Sequence, residues 1–210
     1  MAFFPLDKKF NPDFSIPGKK PVGGVELDHK NSIARSLSGL WLFNDPGSII
    51  RDFARHADGV VSGTSRVAGA EGLVREFNGT NDSVSAPVSK LIGNEWTIVT
   101  RARRTSGGGD TFQAAVTIDS GASSLLSLGG VWFHTGNDLH WRIGPTGGLF
   151  GGAWVTDEWT TVVVKRDSAG NGVLYQDGVE VATASSTWSD GSTQEIAFGA
   201  GAYDLTTDNL

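Results

Sequence analysis

Residues 159–182 read WTTVVVKRDSAGNGVLYQDGVEVA, two hairpins laid end to end. Residues 159–166 form an apolar, β-branched run, and Ser168-Ala169-Gly170-Asn171-Gly172 turns it. A second run covers residues 173–176, and Asp177-Gly178 links it to a third at residues 179–182. Asp-Gly suits a two-residue type I′ turn, because both central positions need positive φ.

The same pattern extends towards the N-terminus. Trp96, Ile98, Thr100 and Ala102 alternate with Thr97, Val99, Arg101 and Arg103. Period two sustained over residues 95–103 indicates a half-buried strand. Further strands are expected at residues 38–44 and 73–77, from Ser83 onward, and at residues 111–118, 123–128, 131–134 and 139–143. Glycine-rich turns separate them. No segment carries a 3.6-residue period, and residues 48–54 hold at most one helical turn. The expected fold is all-β, an antiparallel sandwich.

Composition agrees. Glycine accounts for 29 of 210 residues, about double the usual ~7%, alongside seven tryptophans and eleven phenylalanines. A chain of this length buries roughly 70% of its unfolded surface, so a real core needs no staples. The absence of cysteine excludes disulfides, thiolate zinc sites and cysteine nucleophiles. A net charge of −6 argues against nucleic acid as partner. No apolar run exceeds four residues, so no membrane partner is expected. The opening MAFFPLDKK lacks the apolar centre of a secretory signal.

Residues 1–35 differ from the rest. They hold four of the seven prolines and six basic against four acidic side chains. Proline blocks helix and central-strand pairing, so this segment reads as an extended arm. Phe3, Phe4, Phe10 and Phe14, with Lys19 and Lys20, are its candidate binding residues. They anchor it either to a partner or back onto its own domain.

Several stretches resemble, in order, the motifs of laminin-G-like, concanavalin A-like jelly-roll domains. They are GLWLFND (39–45), RDFARHADG (51–59), EFNGTNDSV (76–84), WTI (96–98), Glu158-Trp159 before Val162-Val163-Val164, and LYQDG (174–178). The second has lost the serine, glycine and asparagine of the family's loop. The resemblance spans residues 38–200 and implies a two-sheet jelly roll at 36–210 behind the arm at 1–35. KPVGGVELD (20–28) followed by IARSL (33–37) is similar to the lead-in on such domains in bacteriophage structural proteins. It implies a virion protein, in capsid decoration, fibre or tail, within a homo-oligomer or larger assembly. Family members close with a strand of the type G-x-I-D-E-V-R-I-Y beside the first strand, which DLTTDNL (204–210) does not match. A partner strand fills that place, the arm folds back into it, or an open sheet edge is left, and such edges attract added strands.

Catalytic patterns are weak. A laminarinase-type E-x-D-x-x-E would start at Glu26-Leu27-Asp28, but Asn31 stands third. Glycosidase carboxylates must face each other across a cleft, which the neighbours Asp157 and Glu158 do not. His29, His56, His134 and His140 form no HExxH or HxH cluster, and His134 with His140 reads as a solvated hairpin pair. No G-x-S-x-G elbow occurs. The expected chain is non-enzymatic, without cofactor or assigned metal. The resemblance brings a structural calcium into view, with Asp45 as the first-strand acid, but its C-terminal partner is unmatched. Asn78 and Asp82 serve equally as turn formers.

Sugar binding needs exposed aromatic faces beside amides or carboxylates. Trp132, Trp141 and Trp188, with Asn137 and Asp138, are the candidate glycan-binding residues, core or rim packing being the other reading of these three tryptophans, while Trp41, Trp96 and Trp159 are expected in the core. Arg101, Arg103, Arg104, Lys165 and Arg166 read as solvated strand ends. The expected function is a virion structural protein, tethered by its arm, displaying a lectin-like domain with weak glycan adhesion. The alternative is a bacterial carbohydrate-binding module.

Overall fold

In a computed structural model, which describes residues 28, 30–54, 57–69, 72–78, 81–87, 93–105, 112–119, 127–134, 136–144, 149–187 and 195–199, the period-two pattern becomes a burial pattern. A short helix, α1 (Ser32–Ser36), precedes fourteen strands among the described residues. These are β1 (Ile49–Ile50), β2 (Gly59–Ser62), β3 (Ser65–Gly69), β4 (Gly72–Glu76), β5 (Ser83–Pro87), β6 (Trp96–Ala102) and β7 (Phe112–Asp119). There follow β8 (Ser127–His134), β9 (Asp138–Arg142), β10 (Leu149–Ala153), β11 (Thr160–Arg166), β12 (Asn171–Gln176), β13 (Val179–Ser185) and β14 (Glu195–Gly199). No helix among the described residues is long and apolar enough to cross a membrane.

β13, β12, β11 and β6 form a narrow antiparallel sheet. Alternate residues of β11, Val162 and Val164, enter the core with Leu174 of β12 and Trp96 of β6. A wide sheet, in the order β1-β2-β5-β14-β7-β8-β9-β10, faces it. β6 lies over β7, β11 over β8, and β12 and β13 over β10. Val116, Ile118, Val131, Phe133, Leu139 and Trp141 close the shared interior from the wide side. Two antiparallel sheets enclosing one apolar layer make an all-β sandwich, as the alternation predicted, of the jelly-roll type that the resemblance implied. β3 and β4 stand apart as a hairpin.

The strand pattern departs from expectation in three places. Residues 38–44 do not form a strand: Trp41 makes one isolated bridge to Asp52, and Phe43 has a left-handed φ of 59° that ends any extended run. Residues 48–54 contain β1 in place of a helical turn, because the buried Asp52 carboxylate gathers the local backbone. Its Oδ1 accepts from the amides of Leu40 and Ala54, and its Oδ2 from that of Ala57. Two strands were expected across residues 123–134, but 127–134 is a single strand, β8, running through Gly129 and Gly130. Those glycines give room where a turn had been expected. A Cβ at Gly129 would lie 2.7 Å from the Trp96 ring, and one at Gly130 2.5 Å from the Val116 carbonyl. The Asp177-Gly178 turn has φ values of 49° and 86°, the positive pair its sequence called for.

Arg166 was expected in solvent and is instead 2% exposed at the end of β11. Its guanidinium donates to the carbonyls of Ile143 and Ser186 at 2.9 Å, and to those of Asn94 and Asp167. One side chain thus ties the exit of β9, the approach to β6 and the end of β13. Removing it strands several buried acceptors, each costing about 1–3 kcal/mol. Arg166→Met is expected to lower stability by about 3 kcal/mol in urea denaturation, whereas its exposed neighbour Lys165→Met stays within about 0.5 kcal/mol.

Candidate functional site

Burying one side of the narrow sheet displays the other. Outward residues of β6, β11 and β12 fall in register, Val99 opposite Val163 and Val163 opposite Tyr175. The next row pairs Arg101 with Thr161, and the row on the other side pairs Thr97 with Lys165 and Lys165 with Val173. Val99 is 66% exposed, so the centre of this face is apolar and open to water. Trp159, just before β11, is half-buried at its edge. The Arg101 and Arg103 guanidinium carbons lie 5.8 and 5.5 Å from its ring centre, and Arg101 Nη1 donates to Thr161 Oγ1 at 3.0 Å. Cation–π contacts at an exposed site contribute about 0.5–1 kcal/mol each. The face therefore combines two aromatics, an aliphatic strip and several hydrogen-bond donors. A sugar ring needs that mixture.

The tryptophans nominated from sequence occupy other environments. Trp132 and Trp141 are each 1% exposed, and a ring so enclosed offers no stacking face. Trp141 belongs to the inter-sheet core. Trp132 lies on the opposite side of the wide sheet, with the His140 ring 5.4 Å away and the Arg142 guanidinium 5.9 Å away. Asn137 and Asp138 build the β8–β9 turn: Asn137 has φ 66°, its amide donates to the His134 carbonyl, and its carbonyl accepts from the Trp154 amide. Trp188 and the arm residues Phe3, Phe4, Phe10, Phe14, Lys19 and Lys20 lie outside the described residues. Trp159, expected in the core, is on the outer face with Tyr175. The signal was present, since Thr160, Val162 and Val164 inward require 159, 161, 163 and 165 outward.

His140 is likewise buried, which corrects the solvated-pair reading. Burial, then the charge of Arg142, then that of His134, pushes its pKa down from the ordinary 6.5 to about 4. Asn78 Oδ1 accepts from the amides of Asn81 and Asp82, and Asp82 Oδ2 from that of Asn78, so both residues form the turn. Asp45 accepts the Arg51 amide. No three acidic or histidine side chains gather into a cation site among the described residues.

No protein-family model matches the sequence, and no curated protein matches it. Solved structures do share the fold. A Trypanosoma rangeli sialidase in complex with 2,3-difluorosialic acid superposes with a TM-score of 0.63 at 18% identity, over 77% of this chain and 26% of the sialidase chain. Domain 4 of a GH43 extracellular arabinanase from Geobacillus stearothermophilus, in complex with arabinotriose, gives 0.50 at 13% identity, over 74% of this chain and 90% of that one. The binding domain of Paraclostridial Mosquitocidal Protein 1 gives 0.53 at 11%, over 80% and 51%. The chain thus spans about a quarter of the sialidase it matches. The sialidase likeness overturns the expectation that the chain lies outside the enzymes, because this fold is one that glycosidase chains contain. At these identities the likeness is one of fold.

His140 binds a proton less readily folded than unfolded. Between pH 6.5 and 4 the unfolded chain takes up more protons, so stability falls as pH drops through that window and levels off below it. The loss is of the order of 3 kcal/mol. A urea-denaturation series across the window is expected to show it, and His140→Gln to flatten the slope.

Proposed function

We propose that the protein is a carbohydrate-binding sandwich whose outward four-stranded face takes the glycan, displayed on a bacteriophage particle to which residues 1–35 tether it. The observation that carries the sugar-binding part is Trp159, flanked by Arg101 and Arg103, on the face that also holds Tyr175. The flat rings meet the apolar side of a sugar, and the guanidinium groups and Thr161 bond its hydroxyls. An arginine resting on a ring at about 0.5–1 kcal/mol is readily displaced by a sugar. The arabinanase domain, solved with arabinotriose, covers nearly its whole length with this fold, which supports the reading. The phage setting is supported by the lead-in at 20–28 and 33–37, and by an arm whose basic excess suits acidic neighbours.

A glycan array probed with the full chain tests the first part. Binding is expected to at least one saccharide, falling tenfold or more, about 1.4 kcal/mol, in Trp159→Ala, and unchanged in Val60→Ala on the wide sheet. A parent protein that binds no glycan removes the reading. Deleting residues 1–35 tests the tether: attachment to particles is lost while sugar binding persists.

A further inference from the structure

The outer face of the narrow sheet continues into a groove. The groove holds about 190 Å³, and Trp159, Arg101 and Arg103 line it as well as belonging to the face. Arg75 and Arg104 bring two further guanidinium groups to it. These four arginines meet a single acid among the lining residues, Glu76, which leaves a local +3 in a chain of net −6. Glu76 Oε2 accepts from Ser65 Oγ at 3.4 Å.

The surroundings of these cations orient them without neutralising them. Arg103 is exposed, and among the described residues it meets the Trp159 ring and no acid. Arg75 Nη2 donates to the carbonyls of Asp45 and Gly47 at 2.7 and 2.6 Å, both uncharged acceptors. Arg104 is 8% exposed and stacked 4.7 Å from the Trp154 ring, and its Nη1 has no acceptor among the described residues. A guanidinium stays protonated in a protein, so only an anion cancels its charge. A small inorganic anion would use the arginines and leave Trp159 idle. A neutral sugar would use Trp159 and leave the charge unmatched. A sugar carrying an acid group uses both.

We propose that the saccharide taken by this face is acidic, and that its carboxylate or sulfate is received by the arginines of the groove while a sugar ring rests on Trp159. The inference rests on the glycan-binding reading and adds the class of ligand. The guanidinium fork bonds such a group through two parallel donors, and a partly enclosed setting strengthens the pairing. The full chain is titrated with uronic-acid oligosaccharides and their methyl esters, and with sulfated oligosaccharides and their desulfated parents. Each neutral parent keeps the ring and loses the charge. At least one acid is expected to bind about tenfold or more tightly than its parent, and the pair that shows it tells carboxylate from sulfate. Arg101→Gln with Arg103→Gln is expected to bring the acid down to the affinity of its parent. Both side chains are exposed, so the double variant is expected to fold. Trp159→Ala is expected to weaken acid and parent alike. Equal binding of acid and parent overturns the inference and leaves the glycan reading standing, whereas binding of no saccharide removes both. An acid preference undiminished in the double variant, or acid binding undiminished in Trp159→Ala, marks diffuse attraction to the surface and overturns it as well.

Discussion

An eight-stranded sheet faced by a four-stranded one must cover its surplus apolar surface by other means. At about 25 cal/mol per Å², an exposed strip of phenylalanine and valine beside β14 would be a serious liability. The protein meets the constraint with Trp41 and Phe43 from a non-strand segment, and with Phe77 just after β4. This unequal width decides where functional surface arises. The narrow sheet keeps a fully displayed outer face, and the step between the sheets leaves a groove along β6.

Much of this was legible from alternation. β6, β11 and β12 were readable because each has a wetter and a drier side, and β13 because Asp177-Gly178 precedes it. β2, β3, β10 and β14 escaped notice. They are short, and β10 carries two glycines and a bulge, so they show no clean period. Glycine misled at β8. In sequence Gly129-Gly130 looks like a turn, whereas packing uses it to let Trp96 and the Val116 carbonyl approach. That requirement is tertiary, and no local pattern encodes it.

The tryptophans were sorted by the wrong criterion. Trp132 and Trp141 lie near glycine-rich turns and were nominated as stacking faces, yet on their expected strands both rings are enclosed. Trp159 sits in an apolar run and was taken for core. Register decides, not neighbourhood: one residue of shift carries a side chain from interior to surface. The same inversion moved His140 from the surface to the interior, where its depressed pKa follows from burial.

Arg166 and Arg104 show how far composition alone falls short. Both were expected in solvent, and both are buried at ends of the narrow sheet. Arg166 spends its donors on carbonyls from four chain positions, so its charge is dispersed among fixed dipoles and its role is to hold loops together. Arg104 meets an indole ring, with one terminal nitrogen left without an acceptor among the described residues, beside a groove that carries further arginines. A satisfied buried cation is part of the scaffold. An unsatisfied one beside open space shifts the local potential, and an anion arriving there is stabilised in a low-dielectric setting where such pairing is strong. The difference lies in the acceptor set each arginine meets, a property of the folded chain that identical residues in a sequence cannot display.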